Sequence, residues 1–414
     1  MDGGDGEFEV QLGAAFGQAG GGPGPEVTAR LVDGGLEIGR RRRRARRRRA
    51  VLLASALTAA VVVGAGVLTV PHGVPGQRSD VLDAAHSASP PPPQPLEKGV
   101  TVLLVGLDST VDAQSRPAPA ELVHGDLHAG VLDRDTTDTL MLVRIPAGGG
   151  EVRQLSIPRD VLVPDGHGGQ AQINSVYPAA ETAERDRLRK EGVSESELLE
   201  RGRGAGRTAL LRAVEQLSEV PVDHYAELSM AGFHRAVQAV GGVPVCLNHR
   251  VRDDWSGIDL PAGHQELGPA QALAFVRQRH GVGNGSDLQR TVRAQALLAG
   301  VVAKLRSGGV LSDPARLGAL YDALSGQLVT DQGWSQLEFV RQVPALAAGR
   351  GTAATLPVTA DGARLRAVPG AAKQWLLGGT PSGPAPSASS GERPGSAATL
   401  QPAPLEWDGV PCVD

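Results

Sequence analysis

Aromatic side chains are scarce here: five Phe, four Trp and three Tyr make up 3% of 414 residues, against 55 Gly and 30 Pro. A chain so composed leaves a substantial share of itself outside any packed core. Its length then accommodates one large or two modest domains. A basic body is also missing. The net charge is −4 although nine of residues 40–49 are Arg. Residues 1–39 hold seven acids and one Arg, so the chain beyond residue 70 is acidic on balance. That balance argues against a nucleic-acid-binding domain. The ten His show no metal-ligand spacing. No Ser/His/Asp nucleophile arrangement, nucleotide-type glycine fingerprint or repeat period is visible. Cysteine is limited to Cys246 and Cys412, an even count that permits one disulfide outside the cell or, alternatively, one buried and one free thiol.

Charge is absent altogether from residues 50–70, AVLLASALTAAVVVGAGVLTV. As a helix this run spans about 31 Å, close to the hydrocarbon thickness of a bilayer. A cleaved signal peptide has a shorter apolar core nearer the N-terminus, so the run reads as a retained transmembrane helix. The arginines before it then stay in the cytoplasm and the C-terminal bulk lies outside. Residues 1–49 read as a disordered acidic tail ending in the arginine block. Residues 71–98, with SASPPPPQP, read as a semi-rigid Pro-rich linker.

The folded body starts at Val100. VTVLLVGLD reads as a buried strand ending at Asp108, and residues 110–137 as a long loop. TLMLVRIP (139–146) and EVRQLSIP (151–158) read as a hairpin across AGGG. The loop after it holds Arg159 and Asp160, then QINSVYP at 172–178. Two helices are expected within 181–218, then strand, helix and strand at HYAELS, AGFHRAVQAV and VPVCLN. Helices near 314–325 and 334–346 and a strand at TAATLPV close the body. This alternation predicts a layered α-β-α domain with a central mixed sheet over 99–378. Residues 379–414 read as a disordered tail with a terminal Cys. Its closing WDGVPC looks ordered, which favours the Cys246–Cys412 bridge.

The densest charge lies in 268–295, GPAQALAFVRQRHGVGNGSDLQRTVRAQ. Arg277 and Arg279 are two apart and point the same way on an extended segment; GVGNG is a loop. Ser286 or Asp287 opens a helix to about Leu305, on which Asp287, Arg290 and Arg293 or Ala294 share one face. Arginine's planar fork suits phosphate oxygens; the plainer reading is a solvated helix face. Leu288, Val292 and Leu297 line either a lipid pocket or the core. Asp108 follows the first strand and Asp138 precedes the second. If these strands are neighbours, both carboxylates face one crevice, where one or two carboxylates with phosphate oxygens and water commonly hold Mg2+. Alternatively each Asp caps a turn. In SIPRD the strand breaks at Pro158 and presents Arg159 and Asp160, either a site pair or a surface ion pair.

Taken in order, GLDS, TDTLML, SIPRD, QIN, ALAFVRQRH and DLQRTVRAQ resemble the motifs of the LytR-CpsA-Psr family over roughly residues 99–360. The resemblance implies a membrane anchor carrying an extracytoplasmic α/β domain. It implies transfer of a glycopolymer from a polyprenyl-pyrophosphate carrier to peptidoglycan. It assigns Asp108 and Asp138 to Mg2+, Arg159 to the lipid pyrophosphate, and Asp160 to orienting that arginine or acting on a proton. Arg277, Arg279, Asp287, Arg290 and Arg293 join the catalytic set; Asn174 and Gln295 contact substrate. Thr136 stands where the family commonly has Arg, Ala294 replaces the first of two glutamines, and 181–206 looks like an insertion. The expected partners are the lipid-linked glycan, peptidoglycan and the membrane, with no nucleic acid. A lipid-pyrophosphate pyrophosphatase and a non-catalytic membrane-anchored regulator are the alternatives.

Overall fold

The computed structural model describes residues 77–79, 99–127, 129, 135–147, 150–253, 257–278, 287–310, 313–334, 350–361, 364–378 and 399–414. The expected anchor at 50–70, the tail before it, most of the linker at 71–98 and the helix expected near 334–346 lie outside these residues. Among the described residues no helix is long and apolar enough to cross a membrane.

Eight of the described strands form one mixed sheet. Numbering those that matter along the chain, the strands are β1 (Gln77–Ser79), β2 (Val100–Asp108), β3 (Thr136–Ile145), β4 (Val152–Ile157), β5 (His224–Ser229), β6 (Val243–Leu247), β7 (Gly263–Leu267), β8 (Leu328–Asp331), β9 (Gly351–Thr355), β10 (Leu405–Trp407) and β11 (Cys412–Val413). The main sheet runs β1-β8-β5-β2-β3-β4-β9-β10, and β7-β6-β11 form a smaller one. At its centre β2 is antiparallel to β3 and parallel to β5. The hairpin expected across AGGG is present as antiparallel β3 and β4.

β2 is apolar on both faces because both are covered, as a central strand of a layered sheet requires. Leu103, Val105 and Leu107 enter a core with Tyr177, Leu210 and Val214 from helices α1 (Ile173–Glu191) and α2 (Glu195–Ser218). Further helices include α3 (Met230–Val240), α4 (Pro269–Arg277), α5 (Asp287–Ser307) and α6 (Pro314–Ser325). The alternate β2 residues Val100 and Val102 face the other side with Val143, Ile145 and Val152, against Leu298 of α5. This is the period-two signature of a strand. Each fully buried Leu contributes roughly 1.5–3 kcal/mol. A second core joins β6 and β7 to α4 and α5 through Val243, Val245, Leu267, Phe275 and Leu297, with Val292 packed against it. That packing places Leu297 and Val292 in the protein core.

Three expectations need correction. QINSVYP is helical from Ile173: Pro178 sits inside α1. Proline has no N–H to give the carbonyl four residues back, and that carbonyl, on Asn174, accepts from Thr137 Oγ1 at 3.5 Å instead. Arg277 is not on an extended segment but ends α4, which Pro269 opens. The tail is not wholly disordered, since residues 399–414 form strands. β10 pairs antiparallel with β9, β11 pairs parallel with β6, and a disulfide joins Cys246 to Cys412 across 166 residues.

Candidate active site

The C-terminal end of β2 and the N-terminal end of β3 meet at mid-sheet, on the edge formed by the strand ends, with Asp108 opposite Thr136. The register jumps from Gly106–Thr139 to Leu107–Thr137, so the extra residue of the bulge is Asp138. Such bulges re-aim side chains next to sites. Gly106 permits the close approach there, because a Cβ at that position would lie 2.9 Å from Thr139 Cβ.

Arginines from separate elements converge on Asp138. β4 ends just before Pro158, and Arg159 directly after that proline donates from Nη1 to Asp138 Oδ2 at 3.0 Å. Arg290, in the first turn of α5, places Nη1 3.5 Å from the same oxygen and Nη2 3.5 Å from the Asp138 carbonyl. Arg159 Nε also lies 3.6 Å from Asp160 Oδ2, and Asp160 Oδ1 accepts from Gln172 Nε2 at 3.0 Å. Asn174, in the first turn of α1, gives its backbone N–H to the Arg159 carbonyl at 3.2 Å. Its side-chain Oδ1 is buried with no hydrogen-bond partner among the described residues.

Asp108 sits in the same field. Burial pushes its carboxyl above the usual range; Arg277 opposes that shift, Asp138 adds to it, Arg290 opposes it and Asp135 adds to it. Arg277 is anchored by donating from Nη1 to the Leu127 carbonyl at 2.7 Å. That carbonyl belongs to the stretch read as an aperiodic loop, and a backbone acceptor leaves no side-chain signal in a sequence.

Two residues of the predicted set turn inward. Arg293 is 1% exposed. It donates from Nη2 to the Gln278 carbonyl just past α4 at 2.5 Å, and Nη1 lies 3.4 Å from the Asp414 carbonyl. Burial first, and then the charge of Arg290, push its guanidinium down to about 10, against the opposing pull of Asp253. Gln295, also 1% exposed, donates from Nε2 to Ser156 Oγ and the Ala354 carbonyl, each at 2.9 Å. It therefore braces α5 against β4 and β9. Asp287 begins α5, but its side chain and the whole of Arg279 lie outside the described residues.

The donor set on the edge, two carboxylates on adjacent strand ends, suits a hard divalent cation with oxygen ligands such as Mg2+. Partial burial and mutual repulsion of the acids both favour a compensating positive charge. Among the described residues the one cluster of three His, Cys or acidic side chains near enough to share an ion is Cys246, His264 and Cys412. Its two sulfurs are joined in the disulfide.

The sequence model of the LytR_cpsA_psr family matches residues 78–362. The cell wall biosynthesis protein LcpA of Corynebacterium glutamicum is 45% identical over 259 residues, which are 62% of this chain and 50% of that protein. The polyisoprenyl-teichoic acid–peptidoglycan teichoic acid transferase TagU of Enterococcus faecalis is 24% identical over 239 residues, 58% of this chain and 63% of that one. The chain thus spans about half to two-thirds of the length of these relatives. A LytR-Csp2A-Psr enzyme from Actinomyces oris superposes with a TM-score of 0.49 at 20% identity, covering 75% of this chain and 98% of that one.

Proposed function

The chain belongs to the LytR_cpsA_psr family, and on that premise we propose that it is a membrane-anchored phosphotransferase that moves a glycopolymer from a polyprenyl-pyrophosphate carrier to peptidoglycan. The observation that carries this reading is Asp138, held by Arg159 at 3.0 Å and Arg290 at 3.5 Å on the edge that also presents Asp108. Arginines paired to a carboxylate can exchange that partner for phosphate oxygens, which match the same planar fork. The relatives' names, a cell wall biosynthesis protein and a teichoic acid transferase, support the donor and acceptor classes.

Asp108 and Asp138 would hold Mg2+, which when bound supplies positive charge against the pyrophosphate. Arg159 and Arg290 bind the phosphate oxygens and take up charge as it develops, while Asp160 orients Arg159. Arg277, fixed by Leu127, adds positive potential beside Asp108. Asn174 Oδ1 receives a hydrogen-bond donor from the glycan or the acceptor. Gln295 ties α5 to the sheet, and Arg293 ties it to the end of α4. Asp287 and Arg279 complete the set. The acceptor hydroxyl oxygen forms a bond to the glycan-proximal phosphorus. The bond from that phosphorus to the bridging oxygen breaks, and polyprenyl phosphate leaves with the electron pair. The hydroxyl proton passes to a carboxylate of the site. Such transfers depend on positioning and charge stabilisation more than on covalent intermediates. Residues 50–70 anchor the domain with the arginine block inside.

The test is to incubate the full chain with a polyprenyl-pyrophosphate glycan, with and without peptidoglycan. Release of polyprenyl phosphate together with glycan bound to peptidoglycan supports transfer. Equal release of the glycan into water without peptidoglycan replaces this reading with a pyrophosphatase. No turnover in either arm leaves the regulator.

A further inference from the structure

The hairpin of α1 and α2 covers one face of the sheet, and its second helix carries the run RGRGAGR at 201–207. Glycines at 202 and 206 let the helices close on each other. A Cβ at 202 would lie 2.6 Å from Arg185 Cγ, and one at 206 would lie 2.9 Å from the Tyr177 ring and 3.0 Å from its carbonyl oxygen. Arg203 and Arg207, four apart, share a face of α2, and both are buried, 5% and 3% exposed. Their partners differ in kind. Arg207 forks onto Glu227 at 3.0 and 2.9 Å, a closed pair inside the core. Arg203 reaches the catalytic edge. Its Nη2 lies 2.6 Å from Asp135 Oδ2 and 3.5 Å from Ser109 Oγ, and its Nη1 donates to Ser115 Oγ at 3.2 Å.

All three partners lie on the segment that joins the two acids. Ser109 directly follows Asp108. Asp135 precedes β3, three residues before Asp138. Ser115 lies in the turn between them and holds a left-handed backbone, φ 61°, a conformation that a non-glycine residue keeps only where its surroundings enforce it. Stability alone does not account for the arrangement. A buried ion pair is often matched or bettered by apolar side chains of similar volume, and Arg203 Nε is itself buried with no hydrogen-bond partner among the described residues.

We infer that Arg203 is a positioning residue: from the helical hairpin it ties the end of β2, the 109–118 turn and the entry to β3 together, and so sets the spacing of Asp108 and Asp138. The inference rests on the proposed transfer reaction at that edge.

The full chain is compared with Arg203→Met/Asp135→Asn, which removes both charges together and so leaves neither charge unpaired. Three readouts are taken: melting temperature, hydrogen–deuterium exchange of peptides covering 109–118, and kcat and KM for the lipid-linked donor. A melting temperature near wild type, exchange at 109–118 faster by about tenfold, and kcat down at least about tenfold with KM within about twofold are expected. A purely structural pair would regain both protection and kcat once its charges are removed together, and that result overturns the inference. Should the wild type transfer nothing, the proposed function fails, and the exchange of 109–118 alone decides: faster exchange supports the tie and wild-type protection overturns it. Should the double variant melt far below wild type, Arg203→Lys decides by the same exchange and kcat readouts. Lysine keeps the charge but cannot span Asp135 and both serines.

Discussion

Arg290 and Arg293 stand one turn apart on α5, yet one meets a carboxylate and the other a backbone carbonyl. Arg290 lies 3.5 Å from a carboxylate oxygen at the sheet edge. Arg293 is sealed against backbone carbonyls at the end of α4 and near the C-terminus. A carboxylate partner at a half-open edge can be traded for a phosphate, whereas a buried backbone carbonyl cannot move away. The same contrast separates Arg159, on Asp138, from Gln295, on Ser156 and Ala354. One helix thus carries an end paired to a strand-end carboxylate and a structural seam, and on the proposed function the seam holds the phosphate-binding end in place.

The largest effect should come from cutting the strap beneath the seam. Cys412→Ser opens a bridge whose chain-entropy contribution is up to about 5 kcal/mol. It should lower the melting temperature of the full chain and loosen β11, while any surviving folded protein keeps the Arg159–Asp138 edge. An unchanged melting temperature would detach the C-terminal strand from the stability of the domain. Next comes Arg293→Met, which takes the guanidinium donor from the Gln278 carbonyl and should cost about 1–3 kcal/mol. Denaturant unfolding should show that loss, and turnover per folded molecule should change little. The smallest effect has the opposite sign. Asp108 is held above its usual 3.8, first by burial. Its contribution to stability is therefore complete below about pH 3.8 and is lost as pH rises through the higher folded value. Above that folded value the carboxylate costs stability relative to a neutral side chain, so at pH 7 Asp108→Asn should melt slightly higher than wild type while losing transfer. A lower melting temperature at pH 7 would mean that the ionised carboxylate is held more favourably than burial allows.

Much of this fold is legible because central strands carry a plain signal. The apolar run ending at Asp108 and the hairpin across AGGG follow from β-branched and leucine-rich stretches, and the two acids come together once those strands are neighbours. The bulge at Asp138 is not legible, since it arises from pairing between distant residues. Arg277 escapes a sequence reading because VRQRH has the look of a polar extended segment, while the helix signal, Pro269 behind Gly268, lies a full two turns earlier. Pro178 hides the first turns of α1, since a proline there signals a break; the Thr137 hydroxyl at the Asn174 carbonyl explains why the helix tolerates it. The direction of each arginine on α5 is beyond sequence periodicity as well. Arg290 and Arg293 share a face by spacing, but only the position of the α4 terminus makes one of them interior.

The most direct measurement is kcat/KM for transfer, taken together with the melting temperature, for Arg290→Lys and Arg293→Lys side by side. Lysine keeps the charge and loses the planar fork. Arg290→Lys should lose at least about tenfold in kcat/KM, equivalent to about 1.4 kcal/mol, with a wild-type melting temperature. Arg293→Lys should melt lower and transfer at a near-normal rate per folded molecule. Wild-type transfer by Arg290→Lys, with the loss falling on Arg293→Lys instead, would contradict the assignment of the Asp138 edge as the place where the pyrophosphate is held.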